Sequence, residues 1–344
     1  MAYTTIDDPT IHFNTKLYTG NGSTQSITGV GFQPDWVWIK QRSGTSNHRV
    51  YDSVRGATKQ LYPNLNNAEN TENNGLTSFD SDGFSLGNEG GHNENNQTFV
   101  SWNWKAGGSA SSNSNGSITS SVSANTTAGF SIVSYTGNGS DGATVGHGLG
   151  VNPSAILFKR RNGTSDWSFM GQNIGTAFSN YLRLQLTNAF ATNSGILQNS
   201  SSSTFTIGTS SRVNASSATM IAYCFAEKKG YSKIGSYTGN GNADGAFVYT
   251  GFKPAFVICK NSASAENWQI LDNKRLGYNN GNQNLGPNLN YAEPTSNNNL
   301  DLLSNGFKLR DTNAEVNESG STIIYMAFAE SSLVSSSGVP TTAR

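Results

Sequence analysis

Short apolar runs alternate with polar, glycine-rich segments along the whole chain, and three of the runs share one plan. They read GFQPDWVWIK (31–40), GVNPSAILFK (150–159) and GFKPAFVICK (251–260). Pro34, Pro153 and Pro254 open them, where a strand tolerates proline. Beyond the proline both alternations are apolar: Trp36 and Trp38 against Val37 and Ile39, Phe256 and Ile258 against Val257 and Cys259. A strand with no polar face is covered on both sides. A second type of run places bulky groups at period two: Trp102 and Trp104, Tyr223 and Phe225, Met326 and Phe328. That is the signature of a strand with a large inward face. No segment keeps a helical period over three turns.

The runs belong to a repeat. LYTGNGSTQ (17–25) recurs as SYTGNGSDG (134–142) and SYTGNGNAD (236–244), with Tyr18, Tyr135 and Tyr237 in register. The proline runs follow. Next come HRVYDSVRG (48–56), WSFMGQNIG (167–175) and WQILDNKRLG (268–277). LYPNLNNAE (61–69) then answers LRLQLTNAF (182–190) and NLGPNLNYAE (284–293), and SDGFSLG (81–87) answers SSTFTIG (202–208) and SNGFKLR (304–310). FVSWNWKA (99–106), MIAYCFAE (220–227) and IIYMAFAE (323–330) close the copies. Chance similarity would not preserve this order three times. A period near 100 residues exceeds a solenoid unit and suits a domain.

The expected architecture is all-β: three tandem antiparallel β-sandwich domains, jelly-roll or lectin-like, each with six to eight strands. Residues 1–106 form the first repeat, 107–128 a Ser/Gly/Asn-rich linker, 129–230 the second repeat, 231–330 the third and 331–344 a polar tail. Each repeat is expected to be self-sufficient, so that the three make a stiff rod.

Composition agrees with many turns and few helices. Apolar residues are 35% and charged residues 13% of the chain, yet 38 glycines accompany 10% aromatics, enough for compact cores. Formal net charge is zero, and no basic run could neutralise a row of phosphates, so no nucleic-acid partner is expected. No apolar stretch is long enough to span a membrane, and the N-terminus lacks the features of a signal peptide. Cys224 and Cys259 lie in apolar runs and read as buried free thiols.

Candidate chemistry is sparse. GNGSDG (137–142) matches G-x-G-x-x-G, but a loop and a strand follow it where a nucleotide site needs a helix, so it reads as a turn. His12, His48, His92 and His147 fit no zinc spacing and do not recur between copies; His48 takes the slot of Trp167 and Trp268 and reads as packing or surface. DSDG (80–83) opens like a calcium loop, but its twelfth position is Gly91, so it too reads as a turn. Trp36, Trp38, Trp167 and Trp268 could stack on sugars, although core packing is the simpler reading. No catalytic residues, metal ligands or cofactor site are identified, and no enzyme is expected.

The opening MAYTTIDDPT…FNTKLYTGNG, the GFQPDWVWIK run and the YCFAE…GYSKIGSYTGNG junction (223–241) resemble an uncharacterised repeated β-domain of structural proteins from cyanophages and other aquatic bacteriophages. The resemblance covers residues 12–330 and carries no catalytic assignment. It implies a virion protein, assembled in the bacterial host cytoplasm, with other virion proteins as partners. A tail-fibre or adsorption component touching host-surface glycan is the leading expectation. A capsid decoration or cement protein is the alternative, and a polysaccharide depolymerase a third. Homo-oligomerisation is expected because phage appendages and shells are symmetric. The first copy departs from the pattern, with SWNWKA for AYCFAE, which implies a different neighbour there.

Overall fold

The computed structural model describes residues 3–275, 279, 283–294 and 299–341. Leu276 and Gly277 of the third aligned block and residues 342–344 of the tail lie outside them. Among the described residues helix is limited to single turns, and antiparallel sheets make up the rest of the regular structure. The expected all-β sandwich is what the chain forms.

Each copy uses one plan of four plus three strands. The opening, closing, proline and outer strands lie side by side in that order. In the first copy they are Phe13–Thr19, Thr98–Trp104, Trp36–Gln41 and Arg49–Asp52. In the second they are Phe130–Thr136, Thr219–Phe225, Ala155–Arg160 and Ser168–Met170, and in the third Ser232–Thr238, Thr322–Ser332, Phe252–Asn261 and Gln269–Asp272. A smaller sheet covers one face: Gln25–Thr28, Gly83–Leu86 and Leu76–Asp80 in the first copy, with the same order in the others.

The segment 107–128, expected to be a linker, is instead woven into the second copy. Ser120–Asn125 pairs with Phe130–Thr136, and Ser111–Asn113 pairs with Ser120–Asn125 in turn. Small polar residues suffice at a sheet edge, because the backbone supplies the bonds and only Val122 and its neighbours need to turn inward. The tail from 331 is also tied down: Ser331 and Ser332 extend the closing strand, and the Ser336 amide donates to Asp7 at 2.6 Å.

The two alternations of the proline and closing strands have different destinations. One set packs on the copy's own small sheet, as Val37, Ile39 and Phe99 do on Ile27, Leu76, Phe84 and Leu86. The other set points to a centre that all three copies share. Trp36, Trp38, Trp102 and Trp104 of the first copy, Leu157, Tyr223 and Phe225 of the second, and Phe256, Ile258 and Phe328 of the third form one continuous buried cluster. Trp36 stacks on Tyr223 at 4.7 Å, Phe13 on Phe328 at 5.4 Å, and Phe225 meets Phe328 at 6.1 Å. The expected rod of self-sufficient domains is therefore corrected: one set of bulky groups in each copy is buried against the other two. The doubly apolar strands did announce two covers, but not that the second cover is a sister copy.

The repeated Tyr-Thr-Gly-Asn-Gly block is a turn held by a buried asparagine from the segment before the closing strand. Asn93, Asn214 and Asn317 accept from the amides of Asn21, Asn138 and Asn240 at 2.9, 2.9 and 3.0 Å. The Tyr18, Tyr135 and Tyr237 hydroxyls donate to the carbonyls of His92, Val213 and Val316 at 2.8, 2.9 and 2.8 Å. A Cβ on Gly137 would stand 2.5 Å from the Ala215 carbonyl oxygen, so only glycine fits. The strand Ala143–Gly146 follows, not a helix, in agreement with the turn reading of 137–142.

Candidate functional site

The strongest constellation of polar groups lies where the copies meet. The contacts close a ring: loops of the first copy receive the second, loops of the second receive the third, and loops of the third receive the first. Three backbone bonds mark it. The amides of Glu69, Phe190 and Glu293 donate to the carbonyls of Arg161, Ser262 and Arg42 at 2.8, 2.9 and 2.7 Å. These residues occupy matching positions of the repeat. Trp167 Nε1 likewise donates to the Tyr62 carbonyl at 2.9 Å, and Trp268 Nε1 to the Arg183 carbonyl at 3.0 Å. In the third junction His48 faces the matching Gly286 carbonyl, but its buried Nε2 has no partner within hydrogen-bond geometry.

Two of the junctions are also wired by charge. In the first–second junction, Asp52 accepts from Arg55 Nε at 2.5 Å and from the Tyr223 hydroxyl at 2.7 Å. Arg55 reaches Glu69 at 3.1 Å, and Arg161 of the second copy grips Glu69 at 2.9 Å through both Nε and Nη2. The third–first junction repeats this. Asp272 accepts from Arg275 Nε at 2.6 Å and from Trp102 Nε1 at 2.9 Å, Arg275 reaches Glu293 at 3.4 Å, and Arg42 pairs with Glu293. Burial works against the charge on Arg55, but Asp52, Tyr223 and Glu69 more than offset it and raise its pKa. Burial also opposes the charge on Glu69, yet Arg161 and Arg55 hold its carboxyl below the usual range. Removing one partner of such a chain strands a buried charge.

The second–third junction has lost every one of these groups together. Gly171 and Ile174 stand where Asp and Arg stand in the sister copies, Met326 replaces the Trp or Tyr donor, Phe190 replaces Glu, and Ser262 replaces Arg. A cavity of about 350 Å³ opens at this place, and Ile174, Phe190 and Ser262 all line it.

The histidines are structural. Trp38 Nε1 donates to His48 Nδ1 at 2.9 Å, and of the two readings of its slot, packing or surface, the buried ring takes the first. His147 accepts from the Leu149 amide at 3.2 Å. His92 links Glu89 to the Tyr51 hydroxyl, 2.6 Å from its Nε2, and both rings are fully buried. Burial drives the His92 pKa from 6.5 down to about 4. A histidine kept neutral in the fold gives stability that is complete above pH 6.5 and lost as pH falls toward about 4. His12, His48 and His147 are shifted in the same direction, each chiefly by burial. Acidification from pH 7 to 4.5 should therefore destabilise the chain, with His92 alone contributing on the order of 3 kcal/mol. Urea midpoints across that range measure this; a flat profile, or the same slope in His92→Gln, contradicts it.

The other sequence candidates find their places. DSDG is a hairpin turn in which Asp82 accepts from the amides of Gly29 and Gly31 at 2.9 and 2.7 Å. Trp36, Trp38, Trp167 and Trp268 are 1%, 3%, 0% and 2% exposed, so their rings are core and not sugar platforms. Cys224 and Cys259 are buried free thiols, as read from the sequence. Among the described residues no group of His, Cys, Asp and Glu is placed to hold a metal ion, and no helix is long and apolar enough to cross a membrane. The junction residues were missed. Their signal was present in the aligned blocks: Asp and Arg three apart in copies one and three, with both replaced in copy two.

One protein-family model, described as a domain of unknown function (DUF7483), matches residues 8–332. No curated protein and no solved structure matches the chain.

Proposed function

We propose that this chain, which belongs to the DUF7483 family over nearly its whole length, is a non-catalytic structural component of a bacteriophage virion, part of the tail-fibre or adsorption apparatus. The observation that carries the reading is the closed ring: three copies on one chain make the same backbone contacts in cyclic order around one aromatic core. Such a body is a single-chain counterpart of a trimer. It fits a threefold position in a symmetric assembly, and its loops are free to vary for contact without disturbing the core. The sequence resemblance supplies the virion context. Its partners would be other virion proteins and host-surface glycan.

A compact body replaces the rod, so the chain would serve as a knob or collar. The same threefold character also suits a decoration protein on a capsid. Quantitative gels and antibody labelling of purified virions test the proposal. Tens of copies at the tail support the adsorption role. Hundreds on the head favour decoration, and absence from purified particles overturns the virion reading. Shortening of host polysaccharide by the purified protein would replace it with a depolymerase.

A further inference from the structure

We infer that the cavity between the second and third copies is a binding site for one unit of a neutral saccharide. The sister junctions act as internal references for what this space holds when it is only structural. There, the positions of Ile174, Phe190 and Ser262 carry Arg, Glu and Arg, and an ion-pair chain crosses the junction; a space of about 460 Å³ remains beside Arg161 in the first–second junction, but the charged guanidinium lines it. Arg161 shows how far that chain reaches: its Nη1 extends to within 3.3 Å of Ser134, whose counterpart in the third copy, Ser236, lines the cavity. With these groups replaced together, the junction keeps its backbone bond and its Trp268 anchor but leaves about 350 Å³ open. That volume falls within the range of small-molecule sites, about 300–1,000 Å³.

The lining selects the ligand. It holds no Lys, Arg, Asp or Glu, so nothing there would balance a phosphate, a carboxylate or an amine. Its apolar part is Ile174, Ile324 and the half-buried ring of Phe190. Its polar part is amide and hydroxyl: Asn173, Asn180, Ser236 and Thr322. Ser236 and Thr322 are exposed, and their hydroxyls make no hydrogen bond among the described residues. A fatty chain would want walls without these polar groups. An uncharged molecule with one apolar face and a rim of hydroxyls matches both parts, and a pyranose ring has that form: its C–H face lies on an aromatic ring while its hydroxyls meet amides and hydroxyls. Phe190 is the platform, and the buried tryptophans are not.

The inference deepens the adsorption reading and rests on it only for the source of the sugar. Saturation-transfer NMR on the full chain, with methyl glycosides of neutral hexoses and N-acetylhexosamines as probes, tests the cavity alone. Location on the virion tests the reading alone. At least one glycoside should bind, with affinity at least tenfold weaker in Phe190→Ala. Binding should vanish in Ser262→Arg with Phe190→Glu, which rebuilds the ion pair of the sister junctions. Unfolding midpoints confirm that each variant is folded; should the double variant fail to fold, Phe190→Ala decides. Absence of binding by every glycoside, or equal binding in Phe190→Ala or in the folded double variant, overturns the inference.

Discussion

Asp52→Asn should destabilise the chain by about 3–5 kcal/mol, the range found when one member of a buried ion pair is removed. The Asp52 carboxylate is fully buried, as is the guanidinium of Arg55, and the change leaves that cation facing a neutral amide. Arg55 keeps Glu69 at 3.1 Å, but Glu69 is already shared with Arg161. The loss is not confined to the first copy, since Asp52 also accepts the Tyr223 hydroxyl of the second. The chain itself contains the remedy. Asp52→Gly, Arg55→Ile and Tyr223→Met together give this junction the Gly, Ile and Met found between copies two and three, and leave Glu69 paired with Arg161. The triple variant should be more stable than Asp52→Asn alone, because no charge is left unpaired. Urea unfolding of the two variants measures the difference. A cost below about 1 kcal/mol for Asp52→Asn, or a triple variant less stable still, contradicts the account.

The second large effect is expected for Trp36→Ala. Trp36 is 1% exposed and touches rings of two copies: Trp104 at 4.5 Å in its own, and Tyr223, Phe130 and Phe225 at 4.7, 5.8 and 5.9 Å in the second. Emptying a buried aromatic site costs about 3–5 kcal/mol, because the lost contacts and the cavity left behind add together. The pattern of the loss matters as much as its size. A tryptophan in the core of an independent domain would weaken that domain alone. In a shared centre it weakens the strands of the neighbours too, and amide protection in Thr219–Phe225 should fall along with that in Thr98–Trp104.

Much of this architecture is legible in the chain, and the gaps have physical causes. The repeat, the prolines that open strands and the period-two aromatics lead directly to antiparallel sandwiches. Apolar residues on both alternations of 36–39 show that two covers exist. They carry no record of which surface supplies each cover, and that is why a rod and a ring read alike. Ser111–Asn113 and Ser120–Asn125 look like linker because strands at the end of a sheet are held by their backbones, which composition does not report. The asparagines at 93, 214 and 317 were hidden by the abundance of asparagine in every loop. Asp52, Arg55 and Glu69 stay inconspicuous in one copy and become informative only when compared across three. The cavity is the same observation in reverse: Ile174, Phe190 and Ser262 depart together from their counterparts, and what links them is proximity across a junction that no single segment contains.

The central claim is that three repeats fold as one cooperative body. Native-state hydrogen exchange at increasing denaturant tests it most directly, through the closing strands Thr98–Trp104, Thr219–Phe225 and Thr322–Ser332. The shared core predicts that all three strands exchange through one opening, with the same free energy and the same dependence on denaturant. Three separate openings, each with its own free energy and a slope near a third of the whole, would show that the copies stand alone.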